Sequence, residues 1–359
     1  MAEFRTPTTN KCRSRLQDNP DLQTPIKIPP SPYLEKIGYG TYVNVFTLER
    51  SPKVGFVRSP WALKKVNRNA LSTKAYNTRI CLEAEILCKL NHPNIVGFRA
   101  FTKASHGEAC LVMEKLEVSL GDIIEGMIEN DMNPFSADDI LRIGFEVAKG
   151  LEYLHHTVYI LHGDLKSYNV LVSDNCKVVK LCDFGVSLPL TKSLELDRSK
   201  GQFEYVGTEC WSAPEIIDME GPVTNKADMW AYGLVIWEMI ALSPPYVEHD
   251  DSIFETSFDD SFTANEMPDN KENSDPNLDE SVQLIKEITR KRFGMRPALP
   301  AIELGPEYKK VLELFYTCTD ADYKSRPTAK GVVMFFKNYV YPKSEKAEKE
   351  TECDMDCDI

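Results

Sequence analysis

One stretch of the chain sets a base, a cation and an amide at fixed intervals: Leu161-His162-Gly163-Asp164-Leu165-Lys166-Ser167-Tyr168-Asn169. A carboxylate such as Asp164 can accept or orient the proton of an attacking hydroxyl. A lysine two residues on, Lys166, can offset charge on a phosphoryl group in transit, and the amide of Asn169 can ligate Mg²⁺. An apolar, strand-like run from Val178 to Cys182 then leads into Asp183-Phe184-Gly185, where Asp183 can bridge metal ions to phosphates. Each piece alone reads as an ordinary loop or turn. Their ordered joint occurrence has no such ordinary reading and points to phosphoryl transfer from Mg-ATP.

Upstream, Gly38-Tyr39-Gly40-Thr41-Tyr42-Val43-Asn44-Val45 lies between strand-like runs rather than ahead of a helix. That context argues against a dinucleotide fold and for a glycine flap whose backbone N–H groups approach phosphate oxygens. Val43 stands where a third glycine is usual, and by itself the segment is most simply a glycine hairpin. Ala62-Leu63-Lys64, on the next-but-one strand, supplies a lysine suited to the α/β-phosphates. Glu83, in the following helical stretch, is placed to pair with Lys64; Glu85 is the rival, and the spacing to Ile86-Leu87 favours Glu83.

These residues must be held by elements that the sequence also outlines. Short β-type runs cover Ile37 to Leu48, Trp61 to Val66 and Cys110 to Met113, with one helix from Ala70 to Leu90. Beyond that the chain turns helical. Ser136 followed by Asp139 matches a capping box, and Ile140, Ile143, Val147, Leu151 and Leu154 keep the spacing of an amphipathic helix. Ala227 to Leu242 is apolar on all faces apart from Glu238, which predicts a helix buried inside a lobe. Val311 to Cys318 and Ala329 to Tyr339 are further helices. The expected fold class is α+β, bilobal, with a small β-rich lobe ahead of a larger α-helical one.

The chain of 359 residues carries a net charge of −13, but the charge is local: twelve acids and one base between Glu248 and Glu280 leave only −2 for the remainder. The sign argues against phosphate-backbone binding, so no nucleic acid is expected as a partner. Residues 248–280 read as a solvated acidic insert or as a docking strip for basic surfaces. Residues 1–32 read as a disordered leader with three hydroxyl–proline steps, at Thr6, Thr24 and Ser31, suited to a proline-directed kinase. Residues 342–359 form an acidic tail ending in Cys357-Asp358-Ile359, a free aliphatic terminus of the kind a PDZ-domain protein captures by strand addition. Ten scattered cysteines without a CxxC pair, and an N-terminus without an apolar core, predict reduced thiols in cytoplasm or nucleus. The longest apolar run, Ala231 to Leu242, is too short to span a bilayer, so no membrane association is expected.

Over residues 33–341 the sequence resembles the eukaryotic protein kinases. Beyond the motifs above, the resemblance rests on Ala213-Pro214-Glu215, on Asp228 in the buried helix, and on Arg326, which matches the arginine that pairs with Glu215. It implies a bilobal kinase fold with ATP and Mg²⁺, Asp164, Lys166, Lys64 and Glu83 as catalytic residues, and Asn169 and Asp183 as metal ligands. It implies an ATP site lined by Ile37, Gly38, Gly40, Val45, Ala62, Lys64, Met113, Glu114 and Leu171, with Met113 as gatekeeper, Glu114 opening the hinge, and Val45 and Leu171 sandwiching the adenine. Lys166 matches the Ser/Thr form of the catalytic loop, and Thr208 matches the threonine that contacts the catalytic Asp in Ser/Thr enzymes. Asp183-Phe184-Gly185-Val186-Ser187 is similar to the mitogen-activated protein kinase kinases, which act on Thr and Tyr.

A closer resemblance, to a mitosis-associated group similar to that branch, is carried by Gly40-Thr41-Tyr42-Val43-Asn44-Val45, His162-Gly163-Asp164, Gly207-Thr208-Glu209 with Trp211, and the acidic insert after Pro245; it implies mitogen-activated protein kinases among the substrates and cyclin-dependent kinases upstream. Ser187, Thr191 and Ser193 are candidate regulatory sites beside those of the leader. The chief departure is Gly163, where most regulated kinases carry an arginine that receives a segment phosphate; its absence shifts the expected control toward the leader. The rival readings are a pseudokinase scaffold, fed by Val43 and Gly163, and an interaction protein that works through its acidic insert.

Overall fold

Five antiparallel strands build the first lobe in the computed structural model, which describes residues 34–39, 43–50, 59–66, 73–103, 108–173, 175–246 and 291–342. The leader with Thr6, Thr24 and Ser31, Gly40 of the glycine turn, the acidic insert 248–280 and the tail past 342 lie outside the described residues. The strands β1 (Glu35–Tyr39), β2 (Val43–Leu48), β3 (Trp61–Val66), β4 (Phe98–Lys103) and β5 (Ala109–Glu114) run in the order β1-β2-β3-β5-β4. β5, inside the sheet between β3 and β4, is buried from Ala109 to Met113, because its apolar side chains are covered on both faces. Register sets Val45 opposite Lys64 and Ala62 opposite Met113, which brings four expected site residues onto neighbouring strands. Helix α1 (Thr73–Leu87) turns Tyr76, Ile80, Ala84 and Leu87 inward at helical spacing, packing them on β3 and β5. It ends three residues before the expected Leu90, which follows in a turn bonded back to Leu87.

The second lobe starts with β6 (Val118–Ser119), α2 (Leu120–Glu129) and α3 (Ala137–Tyr153). Its small strands β7 (Ile160–Leu161), β8 (Val170–Ser173), β9 (Val178–Leu181) and β10 (Leu188–Pro189) form a three-stranded sheet β6-β8-β9 and a β10-β7 pair. Helices α4 (Lys226–Ala241), α5 (Lys309–Cys318) and α6 (Ala329–Phe335) follow. In α3 the expected stripe of Ile140, Ile143, Val147 and Leu151 is buried. The helix continues as a wider turn over Leu154–Val158 and stops at Tyr159, whose φ of 55° is left-handed. Ser136 caps α3 through the Asp139 N–H, but the Asp139 carboxylate meets the serine hydroxyl instead of the Ser136 backbone, so the box is half-formed. A complete reciprocal box stands at α2, between Ser119 and Asp122. The C-terminal helix expected to reach Tyr339 ends at Phe335 and continues as another wide turn, Phe336–Val340.

Every residue of α4 from Ala227 to Ile240 is buried, as its apolar sequence predicts, and two of them are acids, Asp228 and Glu238. One apolar core runs through both lobes, from Ala62 and Met113 to Leu181, Leu151 and Trp230. The crossing is stitched by backbone bonds: Val96 N–H to Leu181 O at 2.9 Å, Leu181 N–H to Asn94 O at 2.9 Å, and Glu114 N–H to Gly97 O at 2.8 Å. Among the described residues no helix is long and apolar enough to cross a membrane.

Candidate active site

The loop from His162 to Asn169 is suspended from α4. Asp228, 1 % exposed, accepts the His162 N–H at 2.8 Å and the Gly163 N–H at 3.0 Å, and its Oδ2 also accepts from His155 Nε2 at 2.7 Å. Burial pushes the Asp228 carboxyl up, and these donors outweigh it and hold the pKa below the usual carboxylate value. His162 Nε2 donates to Cys182 O at 2.9 Å, and its ring packs on Phe184 with centroids 5.2 Å apart. The Cys182 N–H in turn bonds Asn169 O at 3.0 Å. The loop is therefore knitted to the segment that carries Asp183.

From outside the loop, Thr208 links its base to its cation. Its backbone N–H and hydroxyl donate to Asp164 Oδ1 at 3.0 and 2.7 Å, while its Oγ1 accepts from Lys166 Nζ at 2.9 Å. Lys166 Nζ also stands 3.4 Å from Asp164 Oδ2. Asn169 commits its amide nitrogen to Asp164, at 2.7 Å to the backbone oxygen and 3.1 Å to Oδ2, which leaves Oδ1 as its available donor atom. Asp183 adopts φ 63°, left-handed, and Gly185 N–H bonds its Oδ1 at 3.3 Å. Its side chain keeps 40 % of its surface exposed.

Across the cleft, Lys64 Nζ lies 2.9 Å from Glu83 Oε2 and 2.8 Å from Asp183 Oδ2. The pairing chosen from the spacing is thus made by Glu83, and Glu85 points to solvent. Burial pushes Lys64 down, but the two carboxylates outweigh it and raise its pKa; it is held as an ammonium. Burial raises the Glu83 carboxyl, whereas in Asp183 the neighbouring Lys64 outweighs burial and keeps the carboxylate ionised. Asp183 and Asn169 together offer hard oxygen donors, with no cluster of three His, Cys, Asp or Glu ligands among the described residues. Two protein oxygens completed by phosphates and water is the manner in which Mg²⁺ is commonly held, so the residues fit a nucleotide-bound divalent ion.

Comparison with known proteins agrees with this geometry. The model of the protein kinase domain matches residues 32–335. The lymphokine-activated killer T-cell-originated protein kinase of Homo sapiens is 39 % identical over 338 residues, 93 % of this chain and 97 % of that one. The chain belongs to the protein kinase family. The mitogen-activated protein kinase kinase kinase zak-1 of Caenorhabditis elegans is 31 % identical over 254 residues, 68 % of this chain and 32 % of the relative. The probable serine/threonine-protein kinase drkC of Dictyostelium discoideum is 31 % identical over 228 residues, 62 % of this chain and 28 % of the relative. This chain spans about a third of the length of those last two. It is a protein serine/threonine kinase with the bilobal kinase fold, and as such uses ATP and a divalent metal and acts on protein substrates.

In this kinase the remaining expected site residues are distributed as follows. Ala62 and Met113 are buried in the shared core, with Val45 and Leu171 packed at its edge from the first and second lobes respectively. Ile37 on β1 is exposed, and Gly38 pairs with Val45 just after the register shifts between Lys36 and Gly38. Glu114 closes β5, and its carboxylate turns to Gly97 N–H and Lys180. Ser187, expected as a regulatory hydroxyl, is buried at 4 % exposure and donates to His162 O at 2.9 Å, so it is closed to a modifying enzyme in this arrangement. Thr191 and Ser193 stand at the surface, bonded to each other at 2.8 Å. The segment around them is pinned by an apolar cluster of Leu161, Leu188, Leu190 and Leu196, with Phe203 and Tyr205 packed on it.

Glu238, in the sequence only an interruption of an apolar helix, is a site residue. Its Oε1 accepts from Ser167 Oγ at 2.6 Å and its Oε2 from Trp211 Nε1 at 2.9 Å, tying the catalytic loop to the segment that follows Thr208. Burial pushes its carboxyl up to about 7. A lone acid in an otherwise apolar buried helix was the available signal, since such a group must find donors. Seven described cysteines, among them Cys182 and Cys210, are all free thiols.

Proposed function

We propose that Asp164 orients the acceptor hydroxyl of a Ser or Thr side chain and takes up its proton, while Lys166 offsets charge on the γ-phosphoryl group and Lys64 anchors the α/β-phosphates of ATP. The single observation that carries this reading is Thr208 Oγ1, which donates to Asp164 at 2.7 Å and accepts from Lys166 at 2.9 Å. The bridge fixes base and cation side by side before substrate arrives, which is the positioning an in-line transfer requires. Asp183 and Asn169 hold Mg²⁺ in this reading; the ion, when bound, neutralises phosphate charge. Ala62, Val45, Met113 and Leu171 bound the adenine site, with Ile37, Gly38 and Gly40 over the phosphates and Glu114 at the hinge. Turnover should be modest, on the order of 1–100 s⁻¹.

Mitogen-activated protein kinases are the proposed substrates, which the resemblance to kinase kinases and the relative named as a member of such cascades support. Control by cyclin-dependent phosphorylation of Thr6, Thr24 or Ser31 in dividing cells, PDZ capture of Ile359, acceptance of Tyr, and residence in cytoplasm or nucleus belong to the same proposal. Gly163 supports control from the leader, since it has no side chain to receive a phosphate on Thr191 or Ser193.

Incorporation of phosphate from ATP into a generic basic protein is expected for the wild type and should fall to background in Asp164→Ala. Equal incorporation by both would sink the assignment of Asp164. Thr191→Ala with Ser193→Ala should retain activity that Thr6→Ala loses in protein taken from dividing cells; the reverse result would place the control in the segment.

A further inference from the structure

The turn Ser167–Asn169 sends its side chains to different parts of the second lobe. Ser167 donates to Glu238 on α4, and Asn169 donates to Asp164 within the loop. Between them Tyr168 turns outward, and its hydroxyl donates to Glu125 Oε1 on α2. Burial and the adjacent Glu125 carboxylate push the phenol's pKa up, so the hydroxyl stays a donor at any working pH. A hydrogen bond from it to a carboxylate is of the stronger, charge-assisted kind.

Helix α2 is shaped to receive the ring. Gly121, buried in its first turn, lies against the phenol: a Cβ there would meet Tyr168 Cδ1 at 2.5 Å, Cγ at 2.7 Å and Cε1 at 2.8 Å. Any side chain at 121 would displace the ring. Glu125 stands one turn further along the same helix face, so the seat and the acceptor come at i, i+4 spacing. The backbone completes a circuit. Asn169 runs directly into β8, β8 pairs with β6 (Val172 opposite Val118, Leu171 opposite Ser119), and β6 runs directly into α2. Tyr168 closes that circuit by returning from the turn to α2. Asp228 and Glu238 hold the loop from α4; Tyr168 adds a hold from a second helix.

We infer, taking Asp164 as the base proposed above, that Tyr168 is a positioning residue for phosphoryl transfer: seated on Gly121 and bonded to Glu125, it holds the turn 167–169 against α2 and so keeps Asp164, through Asn169, in place for the acceptor hydroxyl. Tyr168 touches neither ATP nor the reacting hydroxyl in this reading. A displacement of about 1 Å at a reacting group can cost about a hundredfold in rate, so the hold matters more to transfer than to stability.

Single-turnover transfer to a basic protein by the full chain, with KM for ATP and the thermal unfolding midpoint measured alongside, tests this. Tyr168→Ala loses ring and hydroxyl and should slow transfer about twenty-fold, with KM for ATP within about two-fold of wild type. Tyr168→Phe keeps the ring on its seat and should slow transfer only about three-fold, the worth of one hydrogen bond, with the midpoint hardly moved. Glu125→Leu should match Tyr168→Phe, the double variant should be no slower than either, and Glu125→Gln, which still offers an acceptor oxygen, should restore the rate. Gly121→Ala, which leaves Tyr168 itself intact, should slow transfer about ten-fold by unseating the ring. Wild-type transfer by a folded Tyr168→Ala overturns the inference, as does a raised KM for ATP at an unchanged transfer rate. Losses that simply add in the double variant overturn the pairing with Glu125. Should Tyr168→Ala fail to fold, Tyr168→Phe and Glu125→Leu carry the test, and wild-type rates in both overturn it equally. The reading of Asp164 as the base fails separately, if Asp164→Ala transfers at the wild-type rate.

Discussion

Lys64–Glu83 and Arg326–Glu215 are both cation–carboxylate pairs, at 2.9 and 2.7 Å, and both carboxylates are almost wholly buried. They differ in how completely their polar atoms are used. Arg326 spends all five of its N–H donors: two on Glu215 at 2.8 and 2.7 Å, and three on the carbonyls of Asp320, Lys226 and Ala321. Its guanidinium also lies 5.0 Å from the Trp230 ring centroid. Lys64 instead serves two carboxylates with one ammonium, one of them 40 % exposed, which among the described residues leaves one of its three N–H donors over. The saturated pair clamps the segment that closes at Glu215 onto the second lobe. The unsaturated trio holds surplus negative charge and an unspent N–H where phosphates and a divalent ion would complete it. A buried ion pair built for structure leaves nothing to bind; one built for chemistry is left incomplete.

The largest expected effect breaks the saturated pair. Arg326→Leu leaves Glu215 buried without a cation and should lower the unfolding free energy by about 3–5 kcal/mol, read by denaturant titration. Activity per folded molecule should survive. A variant of wild-type stability that has lost phosphoryl transfer would reverse the roles given to the two pairs.

A buried acid held by neutral donors sharpens the contrast. Glu238 accepts from the Ser167 hydroxyl and the Trp211 indole, and its folded pKa of about 7 lies above the ordinary 4.5. A carboxyl raised in this way favours the folded state fully below 4.5, and that contribution fades as pH climbs toward 7. Wild type should therefore lose stability relative to Glu238→Gln between pH 5 and pH 8, by at most about 3 kcal/mol at 1.36 kcal/mol per pH unit. A constant difference across that range would mean that Glu238 is ionised throughout.

The unsaturated trio should give an effect of slightly smaller size but different kind. Lys64→Met should lower kcat/KM by about a hundredfold, about 2.7 kcal/mol, while the unfolding midpoint hardly moves. Glu83 can then take up a proton, since burial already raises its pKa. A loss of stability as large as that of Arg326→Leu would show that Lys64 is structural as well.

The parts legible in the sequence were those where chemistry forces residue types into short, fixed intervals. Asp164, Lys166 and Asn169 sit on one loop, and Glu83 was separable from Glu85 by helical spacing alone. The buried stretch of α4 was likewise visible from composition. What escaped were partnerships between distant residues of common type. Ser167 and Trp211 stand 71 and 27 residues from Glu238, and Lys180 stands 66 from Glu114. Ser187 looked like any segment hydroxyl until its burial under His162 was seen. The spacing points to a capping box at Ser136, though the complete one lies at Ser119, because an S-x-x-D spacing does not say whether the acid will reach the serine backbone or its hydroxyl.

Gly163 has a consequence for how such a kinase could change over generations. Its φ is +81°, and a Cβ there would stand 3.1 Å from the Val186 carbonyl. Substituting an arginine to gain a phosphate receptor would first impose roughly 1–2 kcal/mol of left-handed backbone strain, next to Asp164 itself. It would also crowd the segment against which the new side chain must fold. Phosphate control through this position would therefore start from a loss: the strain, and a shift of the Val186 carbonyl by a few tenths of an ångström, come before any gain from the new charge.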